Sequence, residues 1–469
     1  MIRMTLIPLS LPRNAATAGI AILALVTGGL AALLPWWMLA GGLLGIVAVA
    51  LIFRDPFVGV MLTLALAAQA VPGVLLPAIP VGGVRIQPAE ILCLVTLASC
   101  LNVTLSRWRE FPLGRNWDLL VATLACLAVL VVSIAISAYY WGQRDFAYPL
   151  LRNFLPLTLL PFLPTIFAKR ERIALAERLF ILFGVLIAAS IATQAFTGVQ
   201  LLAGRLEDLG LMQTTGVTRT VLWGPELLVI LALLLIAKNG FRFAFSHGWP
   251  IPAVIVLLLG LMATYTRSFW IGTVVAIGAL ACFVDGVKGG VRLAVLAVPT
   301  LLLAWSAVYV AQPHIAEAAF DRAFGITREI ESGDSFGWRG KENAMAMESI
   351  ARHPVLGIGM NGVYKPSISS RGHFEGEEIY IHNAYLYFQL KMGLIGSLIP
   401  LIFLWLYLRI SRAAFSIPDK NERASAMCYV ALGIVVMLIG YSGQTISRFV
   451  TLLIVCLQFA IMRSYATRN

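Results

Sequence analysis

The chain has 469 residues, 59% of them hydrophobic and only 12% charged, about half the charged share of an ordinary soluble domain. With a mean hydropathy of +0.87, these figures exclude a soluble enzyme and describe a polytopic membrane protein. The formal charge of +12, from 35 Lys plus Arg against 23 Asp plus Glu, suits nucleic-acid binding, an anionic substrate or membrane topology, and only its placement along the chain chooses among them.

In chain order, fourteen apolar stretches have roughly the length a helix needs to cross the hydrocarbon core. They lie at 15–35, 38–53, 57–77, 88–105, 118–138, 146–168, 176–196, 220–237, 250–266, 269–286, 292–310, 383–408, 425–443 and 447–463. The second is short, and the sixth carries Arg152 with Pro149, Pro156, Pro161 and Pro164, so either can be re-entrant or broken. The expectation is an all-α bundle of about 12 to 14 spans. Its organisation is spans 1–11 over residues 1–310, a long polar segment at 311–381, and C-terminal spans over 382–469.

If the N-terminus is cytoplasmic, inward-facing segments hold 20 Lys and Arg, among them Arg54, Arg107, Lys169, Lys238, Lys288, Arg409 and Arg463, against seven in the short outward loops. Charges in the long segment are discounted by the topology rule. Both termini are therefore expected inside. The charge excess becomes an orientation signal, and nucleic acid is not expected as a partner. The first stretch follows Arg3 and Arg13 but is about 20 residues long without a clear small-residue cleavage site, so it reads as an uncleaved span. All six cysteines fall in predicted spans and read as small core residues, with no disulfide framework or metal site.

The segment 311–381 is expected on the outer side. Asp334 or Ser335 can cap a helix running to about Arg352, in which Ala344, Met347 and Ala351 recur at helical spacing as an apolar stripe and Pro354 is the stop. Gly357-Ile358-Gly359-Met360-Asn361-Gly362 matches the dinucleotide-binding fingerprint letter for letter. That fingerprint has meaning only between a buried strand and a helix, and here it follows a helix stop, so a Gly-rich turn permitting close backbone approach is the reading.

Three ionisable residues stand at the same expected depth, the outer boundary: Arg219 before the eighth stretch, Arg267 between the ninth and tenth, and His382 at the opening of the twelfth. Each alone reads as an interfacial anchor or a structural hydrogen bond. Together, two guanidiniums and an imidazole can hold a diphosphate and move a proton. The outer carboxylates Glu207, Asp208, Asp334, Glu375, Glu377 and Glu378 contain no Asp-x-Asp pair, so metal-free chemistry without a cofactor is the expectation.

Thr266-Arg267-Ser268-Phe269-Trp270, Gly337-Trp338-Arg339, Arg352-His353-Pro354-Val355-Leu356-Gly357-Ile358-Gly359, His382-Asn383-Ala384-Tyr385-Leu386 and Lys391-Met392-Gly393-Leu394-Ile395-Gly396, in that order, resemble the O-antigen ligase and polymerase superfamily of bacterial envelope glycan assembly. The resemblance covers about residues 200 to 410. It implies a GT-C-like, inverting, metal-independent glycosyltransferase of the inner membrane that works at the periplasmic face. The implied donor is a glycan on undecaprenyl diphosphate. The acceptor is the lipid A core in a ligase or a second lipid-linked glycan in a polymerase. By the same resemblance Arg219, Arg267 and Arg339 bind the donor diphosphate, His382 orients or deprotonates the acceptor hydroxyl, and Trp338, Asn383 and Tyr385 support the site. Where family members often read Pro-Asn after the first arginine, this chain has Pro225-Glu226. A lipid-linked glycan transporter is the alternative of another class, disfavoured because no internal repeat is found and the ionisable cluster lies at one face.

Overall fold

The computed structural model describes residues 36–75, 78–81, 84–106, 116–141, 151–202, 205–207, 219–222, 224–238, 250–311, 313, 316–317, 320, 335–366, 378–443 and 447–467. The first apolar stretch, 15–35, lies outside them, as do Asp208, Asp334, Glu375, Glu377 and the side chains of Glu207, Arg219 and Trp338. The chain divides into two compact units, Met1–Asp55 and Pro56–Asn469. In the first, α1 (Trp36–Arg54) is apolar along its length and ends on Arg54.

The second unit is an all-α bundle. Its helices are α2 (Pro56–Ala67), α3 (Pro88–Ser106), α4 (Trp117–Trp141), the four-residue α5 (Leu163–Ile166), α6 (Arg170–Thr197), α7 (Glu226–Ala237), α8 (Pro250–Ala263), α9 (Arg267–Ala311), α10 (Ser335–Arg352), α11 (Ala384–Phe415), α12 (Lys420–Ser442) and α13 (Phe449–Ala466). Strands are confined, among the described residues, to two antiparallel two-stranded ladders: β1 (Ile79–Val81) with β2 (Val84–Ile86), and β3 (Arg205–Glu207) with β4 (Arg219–Val221). Seven helices are long and apolar enough to cross a membrane, and four more are shorter apolar helices. The protein is a multi-pass membrane protein.

Several expected spans come out shorter or broken, each for a visible reason. The sixth is a 3₁₀ segment, Arg152–Leu159, followed by α5. Prolines remove backbone donors there and leave carbonyls that a bilayer cannot satisfy; Asn116 Nδ2 donates to Pro161 O at 3.1 Å in their place. Arg152, the charge in this stretch, donates to Arg85 O at 2.8 Å and stands 3.5 Å from Glu90 Oε1. The eighth begins as strand β4, and α7 starts only after Pro225, giving 12 residues or about 18 Å of helix. That length falls short of a bilayer, yet α7 is buried from Leu227 to Leu235 and so is enclosed by protein rather than lipid. The tenth and eleventh are fused in α9 but broken at Gly286, whose φ of 66° is non-helical.

The centre of the bundle is α7, α12 and α13; 78% and 83% of the apolar windows of α12 and α13 are buried, against 22% for the first part of α9. Where helices meet most closely the residues are small, as membrane packing requires. A Cβ on Gly260 of α8 would lie 2.5 Å from Ala188 Cα of α6, and one on Gly184 of α6 would lie 2.6 Å from Ala232 Cβ of α7.

One end of the bundle is held by ion pairs. Lys238, the C-cap of α7, bonds Glu177 Oε2 of α6 and Ser425 Oγ of α12, each at 2.6 Å. Tyr465 of α13 donates to Glu177 Oε1 at 3.0 Å. Arg463 reaches Asp118 Oδ2 of α4 at 2.6 Å, with Arg409 Nη1 3.1 Å from the same oxygen.

Candidate active site

At the opposite end the chain brings its motif residues together. A Cβ on Gly224, just before α7, would lie 2.8 Å from Thr451 Oγ1 at the start of α13. Gly272, in the second turn of α9, faces Val435 and Ile439 near the end of α12. Tyr385 in the first turn of α11 donates to Met437 O of α12 at 2.8 Å. The starts of α7, α9, α11 and α13 and the end of α12 therefore share one end. Arg219 on β4, Arg267 as the first residue of α9, and His382 just before α11 lie on this end.

The local supports follow from the sequence. Asn383 caps α11, its side chain accepting from the amides of Tyr385 and Leu386 at 3.0 and 3.2 Å, which fixes the direction in which the preceding His382 leaves the helix. Glu226, standing where the family often has Asn, is buried and accepts from Leu222 N at 3.1 Å and Gly224 N at 2.8 Å. Two carboxylate oxygens thus fasten the turn between β4 and α7, so this departure preserves an acceptor at that place.

The Gly-rich turn has a structural partner. α11 is kinked at Gly393, whose φ is 63°. A kink leaves carbonyls without their amides one turn on. The turn supplies replacements: Ile358 N donates to Leu390 O at 2.9 Å and Gly359 N to Lys391 O at 3.0 Å, while Leu394 N donates to Pro354 O at 2.8 Å. Gly357 (φ 68°) and Gly393 approach so closely that a Cβ on either would strike the other segment's backbone. Lys391, fully buried, donates to Gly362 O at 2.6 Å, and Ser137 Oγ of α4 accepts from Asn361 N at 3.0 Å. The lysine inside a span, an ionisable residue membrane physics alone leaves unexplained, thus fastens the Gly-rich turn to α11.

This fastened segment positions a carboxylate that the sequence reading passed over. On α10 the buried face is Glu342, Ala346 and Ile350, whereas the expected stripe of Ala344, Met347 and Ala351 is exposed. The apolar stripe therefore does not pack on the bundle, because α10 turns Glu342 toward the start of α11. Glu342 Oε2 accepts from His382 N at 2.9 Å and pairs with His382 Nδ1 at 2.8 Å, and Oε1 accepts from Lys365 Nζ. Glu342 and Lys365 are buried, while the His382 side chain keeps 33% exposure. Burial pushes the Glu342 carboxyl up, but the hydrogen bonds and charge of His382 and Lys365 outweigh it and hold the group down at about 2. Beside it Tyr364, through burial and then the Glu342 charge, is pushed well above the usual phenol value; it donates to Tyr380 O at 2.8 Å.

Arg339 lies three residues before Glu342, hence on the same helix face, and is half-buried. Arg267 is also half-buried. Trp338 takes a backbone position in the first turns of α10. A further basic residue joins from α13: the Arg448 guanidinium stands 5.8 Å from the Tyr380 ring, which packs edge-on against the His382 ring at 4.9 Å. Neither Glu342 nor Arg448 carries a signal of its own in the sequence, since a carboxylate among Arg, Lys and Asn on a polar helix reads as solvated and an arginine at a span boundary reads as an anchor.

No curated protein matches the chain. Residues 252–401, which include Arg267, Arg339, Glu342, the Gly-rich turn, His382 and the Gly393 kink, match the family model described as O-antigen ligase.

Proposed function

We propose that the protein is a glycosyltransferase moving a glycan from undecaprenyl diphosphate to an acceptor at the outer face of the bacterial inner membrane, with lipid A core as acceptor. What carries this reading is the gathering of arginines and a half-exposed imidazole at one bundle end within an O-antigen ligase domain. Arg267 and Arg339, with Arg219 alongside, bind the donor diphosphate, since a guanidinium fork pairs phosphate oxygens and keeps its charge. His382 removes the proton of the acceptor hydroxyl. The acceptor oxygen attacks the anomeric carbon from the face opposite the diphosphate, the carbon–oxygen bond to the diphosphate breaks, and polyprenyl diphosphate leaves with the electron pair. The configuration inverts. Fixed guanidiniums neutralise the charge that grows on the leaving group without reorganising, so no metal is called upon. The positively flanked, ion-paired end faces the cytoplasm, by the distribution of Lys and Arg.

The test incubates purified protein with undecaprenyl diphosphate glycan and either lipid A core or further donor, with and without chelator. Transfer to lipid A that persists in chelator and is abolished in Arg267→Ala and His382→Ala, both still inserted, is expected. Retained transfer in both variants overturns the site. A ladder of lengths on undecaprenyl diphosphate identifies a polymerase instead, and donor crossing vesicles unchanged identifies a transporter.

A further inference from the structure

Glu342 is fully buried, and each of its carboxylate oxygens is engaged by a different residue: Lys365 at Oε1, His382 at Oε2. We infer that Glu342 is the positioning residue of the reaction, fixing the His382 ring in the Nδ1–H tautomer and stabilising the imidazolium that forms when Nε2 accepts the acceptor proton. This rests on the proposed role of His382 as base.

The geometry leaves little freedom. An ionised carboxylate has no proton to donate, so the 2.8 Å contact requires Nδ1 to carry the hydrogen, and the lone pair then lies on Nε2. The second bond, from His382 N to the same oxygen at 2.9 Å, ties backbone and ring to one atom, so the ring cannot turn about χ1 without losing the carboxylate. The Asn383 cap holds the next residue. Tyr380 closes one side of the ring edge-on. Nε2 is left as the acid–base atom of the exposed third of the side chain. When Nε2 gains the acceptor proton the ring becomes cationic, and Glu342 is the negative charge in contact with it. Lys365 moderates that attraction from the other oxygen, Tyr364 stays a neutral phenol beside it, and the Arg448 guanidinium acts from behind Tyr380. The proton passes to water after polyprenyl diphosphate departs. Glu342 thus orients the imidazole, Lys365 draws on the same carboxylate through its other oxygen, and both act through His382 rather than on substrate.

The experiment measures transfer from undecaprenyl diphosphate glycan to lipid A core against pH, and titrates the imidazoles of ¹⁵N-histidine protein, which has only five histidines, with His382→Ala assigning the signal. Glu342→Gln is expected to lower turnover at least about tenfold and to move the acidic limb and the His382 titration down by about one pH unit, with loss of the single tautomer. Lys365→Gln, in which the carboxylate serves His382 alone, is expected to move both upward, and Glu342→Asp to recover part of the wild-type profile. Unmoved limbs and titration in Glu342→Gln overturn the inference. Should that variant fail to fold, an unmoved or downward shift in Lys365→Gln overturns it. Transfer by His382→Ala would instead overturn the reading of His382 as base, a result distinct from a dead His382→Ala with an unshifted Glu342→Gln.

Discussion

Gly357→Ala tests the interlock that carries Lys365 to Glu342. The added Cβ would lie 2.5 Å from Gly393 N, 2.7 Å from Leu390 O and 2.7 Å from Lys391 C. All three are backbone atoms of the kinked helix, so no side chain can swing aside. Holding alanine at the observed φ of 68° costs about 1 kcal/mol, and relief of the clash requires the turn to withdraw. Withdrawal loses the bonds from Ile358 N and Gly359 N to α11, each about 1 kcal/mol. The sum of about 3 kcal/mol corresponds to roughly a hundredfold rise in the open population. Hydrogen exchange of the Ile358 and Gly359 amides in detergent or nanodiscs reads this directly. Exchange about a hundredfold faster, with insertion intact and transfer sharply reduced, is expected. The control is Gly340→Ala in α10, where a Cβ meets nothing within 4 Å and helix propensity favours alanine. Wild-type protection in Gly357→Ala, or equal loss in Gly340→Ala, would refute the reasoning.

Two further outcomes follow from the charges. Because the Glu342 carboxyl is lowered from an ordinary 4.5 to about 2, its contribution, on the order of 3 kcal/mol, is present above pH 4.5 and disappears as pH falls toward 2; acid titration of hydrogen exchange in α10 should show a loss in that window that Glu342→Gln lacks. At the other end, Lys238→Met leaves Glu177 without its ammonium, and breaking a buried pair costs about 3 to 5 kcal/mol; the unfolding midpoint in detergent should drop while turnover per folded molecule stays near wild type, and an unchanged midpoint would show that the pair contributes nothing.

Much of the bundle was legible in the chain because hydrocarbon imposes a length and a composition on anything that crosses it. The long spans from 88–105 to 447–463 appear as helices, with three ends, at Arg170, Phe415 and Lys420, lying five to seven residues beyond those expected. The exceptions, at 146–168 and 220–237, are segments enclosed by protein, where length is no longer dictated by the bilayer. Arg267 and His382 stand out as candidates because a charge or an imidazole at a span boundary is conspicuous in an apolar sequence. Glu342 does not, since it sits in a polar helix among other charges, and the apolar stripe of Ala344, Met347 and Ala351 draws attention to the opposite face of that helix.

Hydrophobic periodicity assigns α10 an apolar side only when apolar burial decides the orientation. Here a carboxylate with an imidazole and an ammonium as partners decides it. By itself the sequence determined a multi-spanning helical protein, its excess of basic over acidic residues, and the motifs that match an O-antigen ligase model, all of which depend on local composition or order along the chain. Only the tertiary structure decided that Lys391 holds Gly362, that Gly357 and Gly393 meet, and that Glu342 meets His382 forty residues away. These pairings come from which segments the bundle brings to one end, and no local pattern of residues encodes them.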